Sequence, residues 1–176
     1  MAVELRRAKP PDADFLLKLL ADDDVRQSLG PRTAASRDEV LEEIERSLAQ
    51  PESYGRFVIE FDGEPAGMLG FHVANERSRI ARLERLAVHP RFRGRRLSDD
   101  AVRLFQRLLL EELGYHRLEL EIYAFNERAR AHAERAGFVL EGRKRKAYRK
   151  DDEWVDSVLY ALVVEDLDQR VGTERP

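Results

Sequence analysis

The chain has 176 residues, with 31 Lys and Arg against 34 Asp and Glu and a formal net charge of −3 at pH 7. That length suits one domain with a single core, and that balance argues against a nucleic-acid protein, whose footprint is a strongly basic face. The absence of cysteine excludes a disulfide framework, thiolate metal sites and a cysteine nucleophile. No apolar run approaches the roughly 20 residues of a membrane-spanning helix. The opening "MAVELRRAKPPDADFLLKLL" lacks the apolar core of a secretory signal, so a cytoplasmic domain with no membrane partner is expected.

Along the chain, "VELRRA" alternates like a short strand. "PPDADFLLKLLADDDVRQSL" starts with prolines and Asp12 as helix-start signals and sets Phe15, Leu16, Leu19 and Leu20 on one face. Asp22, Asp23 and Asp24 read as a solvated helix end, with attraction of a cationic substrate as the second reading. In "SRDEVLEEIERSLAQ", Ser36 caps, Glu39 completes a capping box, and Val40, Ile44 and Leu48 form a stripe. "GRFVIEFDGEPAGMLGFHVAN" is a hairpin about the Asp62-Gly63 turn. "SRIARLERLAV" continues the sheet. "SDDAVRLFQRLLLEELGY" is the longest helical pattern, with Ala101, Leu104, Phe105, Leu108 and Leu109 inward and Gly114 as the stop. "RLELEIYAF" alternates as a strand, and "NERARAHAERAGF" is a helix capped by Asn126 and ended by Gly137. "VLEGRKRKAYRKDDEWVDSVLYALVV" closes as two strands about a polar turn. The order β-α-α-β-β-β-α-β-α-β-β implies an α/β fold of the α+β kind, a mixed sheet covered by helices.

One stretch carries chemistry by itself. "HPRFRGRRLSDDAV", His89 to Val102, joins a strand to a helix through a turn crowded with arginines. A loop at a helix N-terminus is suited to a phosphate, because free backbone N–H groups and the helix dipole both favour an anion. Glycine normally lets the backbone approach; here Gly94 is flanked by Arg93, Arg95 and Arg96. Guanidiniums suit phosphate oxygens, whereas a side chain at a left-handed Arg96 would add about 1–2 kcal/mol of strain. A basic surface turn with no ligand is the other reading. His89, His116 and His132 have no metal-ligand partners at suitable spacing, so no metal is assigned.

Four stretches in this order, "LERLAVHPRFRG", "ELGYHRLELEIYAFNERA", "ERAGFVLEGRKRKAY" and "EWVDSVLYALV", resemble the GNAT family of N-acetyltransferases, nearest its branch acting on ribosomal-protein N-termini and polyamines. The likeness spans about Val3 to Leu167, so residues 1–167 are expected to form a single acetyltransferase domain and 168–176 a polar tail. The resemblance implies a sheet splayed after the fourth strand and an acetyl-CoA-dependent transfer to a primary amine of a peptide N-terminus, polyamine or small molecule. It implies backbone contacts from Leu86, Ala87 and Val88 to the thioester carbonyl, a diphosphate cradle at Arg93, Gly94, Arg95, Arg96, Leu97 and Ser98, and an Asn126 contact to the pantetheine arm. A homodimer through the final hairpin is a further implication.

Two positions depart from the family pattern. Arg96 stands where a glycine is usual, and Ala133 where a tyrosine usually protonates the departing thiolate; His132 points about 100° away around the helix. Loss of a general acid typically costs about 10²–10⁴ in rate. For the proton acceptor, Glu84 is the first candidate, with an ion pair to Arg82 or Arg85 as the competing reading. Glu119 and Glu121, which share a strand face with Tyr123, follow. Trp154 and Asp156 look structural. The alternative to an enzyme is an impaired module of this fold that binds an acyl-CoA or a protein partner without turnover.

Overall fold

A computed structural model of the chain describes residues 2–29 and 36–167. Residues 30–35 and the polar tail 168–176 lie outside the described residues. The strands are β1 (Val3–Arg7), β2 (Tyr54–Phe61), β3 (Glu64–Asn75), β4 (Ile80–Val88), β5 (Arg117–Tyr123), β6 (Val139–Lys150) and β7 (Glu153–Val163). The helices are α1 (Ala13–Ala21), α2 (Asp23–Ser28), α3 (Arg37–Ala49), α4 (Leu97–Arg107) and α5 (Glu127–Arg135). Strand neighbours run β1-β2-β3-β4-β5-β7-β6 in one mixed sheet. Its β4–β5 pair is parallel, while β1–β2, β2–β3, β5–β7 and β6–β7 are antiparallel. The chain divides into two compact units, Met1–His72 with Leu83–Phe105 and Val73–Arg82 with Gln106–Pro176.

In the first unit, β2 is buried along nearly its whole length, as a central strand covered on both faces must be. Its alternate residues serve two layers. Val58, with Met68 of β3 and Ala87 of β4, packs on Leu16, Leu19 and Leu20 of α1 and Val40 and Ile44 of α3. Phe57 points the other way and meets Phe71 and Phe105 with ring centroids 6.5 and 5.2 Å away. The Asp62-Gly63 turn has φ values of +50° and +81°, the left-handed pair that matches strand twist in a two-residue hairpin.

Three helical expectations are corrected. The first pattern is two helices, because Asp22 is extended at ψ 129° and its carboxylate accepts from the Val25 N–H, capping α2; the acidic run is a helix start. On α3 the capping box of Ser36 and Glu39 forms, but the buried line is Val40, Ile44 and Ser47, while Leu48 is exposed. Ser47 turns inward because its hydroxyl accepts from the Arg56 N–H at 2.9 Å and from Arg7 at 2.9 Å. Along α4 and the turn that follows it the buried face is Leu97, Ala101, Val102, Phe105, Gln106, Leu109 and Leu110, rotated from the apolar count, with Leu104 and Leu108 at its margin.

In the second unit, Leu108–Glu112 widens to a π-helical turn, and Gly114 ends it at φ +67°. Gln106 is buried and donates to the Ala136 carbonyl at 2.9 Å, satisfying the C-terminal end of α5. Strand β5 lies between β4 and β7, with Leu118 opposite Ala81 and Leu162.

Candidate active site

The fourth strand breaks its own regularity where the resemblance placed the carbonyl contact. The parallel ladder from β4 to β5 comprises Ile80, Ala81 and Arg82, while β4 runs on to Val88 and β5 to Tyr123. The ladder therefore ends before Leu86–Val88, as a sheet splayed after the fourth strand requires. Arg85 then takes φ +59°, a left-handed conformation that costs an ordinary residue about 1–2 kcal/mol. In a flat strand consecutive side chains point to opposite faces. Here Glu84 and Arg85 both reach the α3 face, the signature of a bulge. On β3, Gly67 makes room for this strand: a Cβ there would lie 2.4 Å from the Ala87 carbonyl oxygen.

The α3 face holds a buried charge cluster. Arg56 is 4% exposed. Its guanidinium donates to Glu84 Oε1 at 2.7 Å, to Glu43 Oε2 at 3.2 Å and to the Gly55 carbonyl at 3.1 Å. It also lies over the Tyr54 ring, 4.4 Å from its centre. Arg85 pairs with the same Glu43 oxygen. The other Glu84 oxygen lies 3.2 Å from His72 Nδ1. Gly70, opposite Arg56 in register, leaves the guanidinium its space, since a Cβ there would sit 2.6 Å from Nη1. Buried charges persist only when paired and hydrogen-bonded, and this set of two arginines and two glutamates is. Burial pushes the Glu84 carboxyl up, but the His72 hydrogen bond and the Arg56 charge outweigh it and hold the group down to about 2. Burial works against the charge on Arg56, and Glu84 and Glu43 more than offset it.

The arginine loop leads into α4 in the same unit. Gly94 has φ +81° with open space around it, and Arg96 has φ +58°. Among the described residues, no backbone carbonyl accepts from the N–H groups of Gly94, Arg95, Arg96, Leu97 or Ser98. Two left-handed residues and a run of N–H groups at the start of an 11-residue helix are what a diphosphate cradle needs, so these residues fit the cofactor that the resemblance implies. The arginines differ in readiness. Arg93 pairs with Asp24 at 2.8 Å, and Arg95 lies over the Phe61 and Phe92 rings. No ion pair of Arg96 occurs among the described residues, and its Cβ occupies a position where glycine is free.

The second unit carries the remaining sequence candidates. Asn126 caps α5, its side-chain oxygen accepting from the Ala129 N–H at 3.1 Å. Ala133 is 2% exposed, so a tyrosine introduced there would have to displace its neighbours. Glu119 pairs with Arg82 at 3.1 Å and Arg117 at 2.9 Å. Glu121 accepts from Ser157 at 2.5 Å and Lys144 at 2.9 Å. Burial raises both carboxyls, and these partners more than reverse it. Neither is a freer base than Glu84. Asp156, read as structural, accepts from the Lys146 N–H at 2.7 Å and Arg143 at 2.6 Å, and Trp154 is exposed. Among the described residues no three His, Asp or Glu side chains group as metal ligands, and no helix is long and apolar enough to cross a membrane.

Sequence reasoning did not single out His72, Arg56 or Glu43. The available signal was weak: His72 follows Met68 and Gly70 at period two in a strand, and only the β2–β3 register sets it opposite Tyr54.

Residues 2–139 match the model of the Acetyltransferase (GNAT) domain family. The chain is 23% identical over 167 residues to the SPbeta prophage-derived uncharacterized N-acetyltransferase YokL of Bacillus subtilis (strain 168), covering 94% of this chain and 93% of that one. Among solved structures, RimL, a ribosomal L7/L12 alpha-N-protein acetyltransferase in complex with coenzyme A, superposes with a TM-score of 0.83 at 20% identity, covering 94% of this chain and 96% of its own. A spermidine N-acetyltransferase SpeG chimera from Vibrio cholerae gives 0.82 at 18% identity over 99% and 100%. Structural likeness at these identities speaks to the fold, while the family match covers most of the chain. The chain therefore belongs to the GNAT family and is an acetyltransferase.

Proposed function

We propose that the protein transfers the acetyl group of acetyl-CoA to a primary amine, on a peptide N-terminus, a polyamine or a small molecule. The observation that carries this reading is the end of the β4–β5 ladder at Arg82, followed by the left-handed Arg85. An interrupted ladder frees the β5-facing backbone donors of the segment Leu86–Val88 for a thioester carbonyl without any side-chain donor. The loop Arg93–Ser98 and the N-terminus of α4 would hold the diphosphate, and Asn126 the pantetheine arm. The Glu84 cluster, two residues before Leu86, would receive the ammonium proton.

A second reading, an impaired module that binds acyl-CoA or a protein partner without turnover, draws on Arg96 at φ +58° and on Ala133 in place of a hydroxyl acid. One assay separates the two. The full chain is incubated with acetyl-CoA and, in turn, an N-terminal peptide, spermidine and an arylalkylamine, and thiol release is followed. Amine-dependent release is the expected result. CoA at a hundredfold excess over its Kd should also stabilise the fold by about 2.7 kcal/mol. Stabilisation without thiol release from any amine would favour the module, and no response to CoA would overturn both readings. Cytoplasmic location and a homodimer through the β6–β7 hairpin belong to the same proposal, the second checked by light scattering.

A further inference from the structure

The proton-accepting site just proposed contains two ionisable groups in contact, and they are unequally suited to the task. Both oxygens of Glu84 are engaged, Oε1 by Arg56 at 2.7 Å and Oε2 by His72 Nδ1 at 3.2 Å. A carboxylate paired with a buried guanidinium surrenders that pairing when it takes a proton. His72 is partly open, with 37% of its side chain exposed. Its Nδ1 is the atom facing the carboxylate, so the neutral ring carries its proton on Nδ1 and presents a lone pair at Nε2. Among the described residues nothing accepts from or donates to that Nε2. Glu84 lies two residues before Leu86 in the same strand, so the imidazole that it holds is about 7 Å along the chain from the start of the segment proposed to take the thioester carbonyl.

We propose that His72 Nε2 is the proton acceptor for the amine and that Glu84 is its positioning residue. This rests on the acetyl-transfer reading above and moves the role from Glu84 to a residue that reaches solvent. Among side chains, only imidazole changes charge between pH 5 and 8 without help from its surroundings, which suits a general base working near neutrality. The groups facing the ring are Glu84 on β4 and, opposite in register on β2, Tyr54. Behind Glu84 stand Arg56, Glu43 on α3 and Arg85. When bound, acetyl-CoA supplies the acyl carbon and a thiolate leaving group. An N–H bond of the ammonium breaks, its proton passing to Nε2 and its electron pair remaining on nitrogen. That pair forms the C–N bond as the C–S bond breaks with its electrons to sulfur. The nitrogen loses a second proton, the sulfur leaves as the thiol with one proton, and His72 returns the other to solvent, one per turnover.

The test has a spectroscopic arm and a kinetic arm. Long-range ¹H–¹⁵N correlation of the labelled full chain, with the His72 signals assigned by their loss in His72→Gln, should show the neutral ring as the Nδ1–H tautomer. Glu84→Gln should return it towards the Nε2–H form that water favours. On an amine that the wild type acetylates, His72→Gln should lower kcat by about 10²–10⁴, leave the CoA-induced thermal shift unchanged and abolish the ascending limb of the pH–rate profile. His72→Asn is run alongside, so that a Gln variant that fails to fold leaves the outcome readable. A neutral Nε2–H tautomer in the wild type, or either folded variant keeping kcat within about twofold, overturns the inference and leaves acetyl transfer standing. A wild type that acetylates no amine overturns both.

Discussion

Glu84 and Arg85 are neighbours in the chain, yet both side chains reach the face of the sheet on which α3 lies, Glu84 to Arg56 at 2.7 Å and Arg85 to Glu43. The φ of +59° at Arg85 makes this possible, since it spends one residue on a bulge and lets the strand resume its alternation with Ala87 inward on the same face. The charge cluster and the proposed carbonyl site thus share one backbone irregularity. The left-handed Arg85 is also the residue that pairs with Glu43.

That link is open to a paired substitution. Arg85→Gly and Arg85→Ala both leave Glu43 with one partner fewer, but only alanine keeps the left-handed strain. Glycine should be the more stable of the two by up to about 1 kcal/mol, after its own greater unfolded-state entropy is deducted. Urea denaturation measures the difference, and a more stable alanine variant would count against the bulge.

Gly70 is expected to be intolerant. A Cβ there lies 2.6 Å from Arg56 Nη1 and 2.6 Å from the Gly55 carbonyl oxygen. The side chain is flexible but buried, and the carbonyl belongs to the backbone, so neither yields freely. Gly70→Ala should cost about 1–3 kcal/mol and dislodge Arg56 from Glu84. A melting temperature equal to that of the wild type would refute the close approach.

Stability should depend on pH through Glu84. The folded state holds this carboxyl at about 2 against an ordinary 4.5, so the unfolded chain binds the proton more readily in acid. The contribution is fully present above 4.5 and is lost as pH falls towards 2. Its size at neutral pH is no more than about 3 kcal/mol. Glu84→Gln should be less stable near neutrality, and its stability should fall less steeply across that acid window. Parallel acid-denaturation curves for the two proteins would contradict the pairing.

Arg96 decides what kind of cradle the loop is. At φ +58°, Arg96→Gly should relieve about 1–2 kcal/mol of strain and forfeit about 0.5–1 kcal/mol of unfolded-state entropy, a net gain of about 1 kcal/mol or less. With Arg93 held by Asp24 and Arg95 lying over two rings, Arg96 is the guanidinium most available for phosphate. If it compensates for the missing glycine, the variant binds CoA more weakly at low salt and with a flatter salt dependence, because exposed charges are screened as the Debye length falls from about 10 Å at 0.1 M to 3 Å at 1 M. Calorimetric titration of CoA at several salt concentrations reads this directly, and tighter binding at every concentration would mean that Arg96 only obstructs.

Local signals sufficed for much of the fold. The Asp62-Gly63 turn, the Ser36–Glu39 capping box, the Asn126 cap and the Gly114 stop each depend on a few adjacent residues, and each is where its sequence motif put it. Left-handed strain at Arg96, raised from the missing glycine, is likewise a local property. The break at Asp22 and the rotation of the α4 face were not legible, because a continuous apolar count ignores a carboxylate that caps its own helix and a glutamine whose partner lies 30 residues away. Leu48 gave way to Ser47 for the same reason, its rival being held by Arg7 and by the Arg56 backbone. For the site, the sequence located the fourth strand and the loop after it. It left Glu84 with Arg82 or Arg85 as candidate partners, and the structure pairs it with Arg56 and His72 instead. These come from two other strands, 28 and 12 residues earlier in the chain. Period-two alternation says which residues of a strand share a face, but strand register and a bulge decide which faces meet, and both are set by backbone pairing that no single stretch of sequence contains.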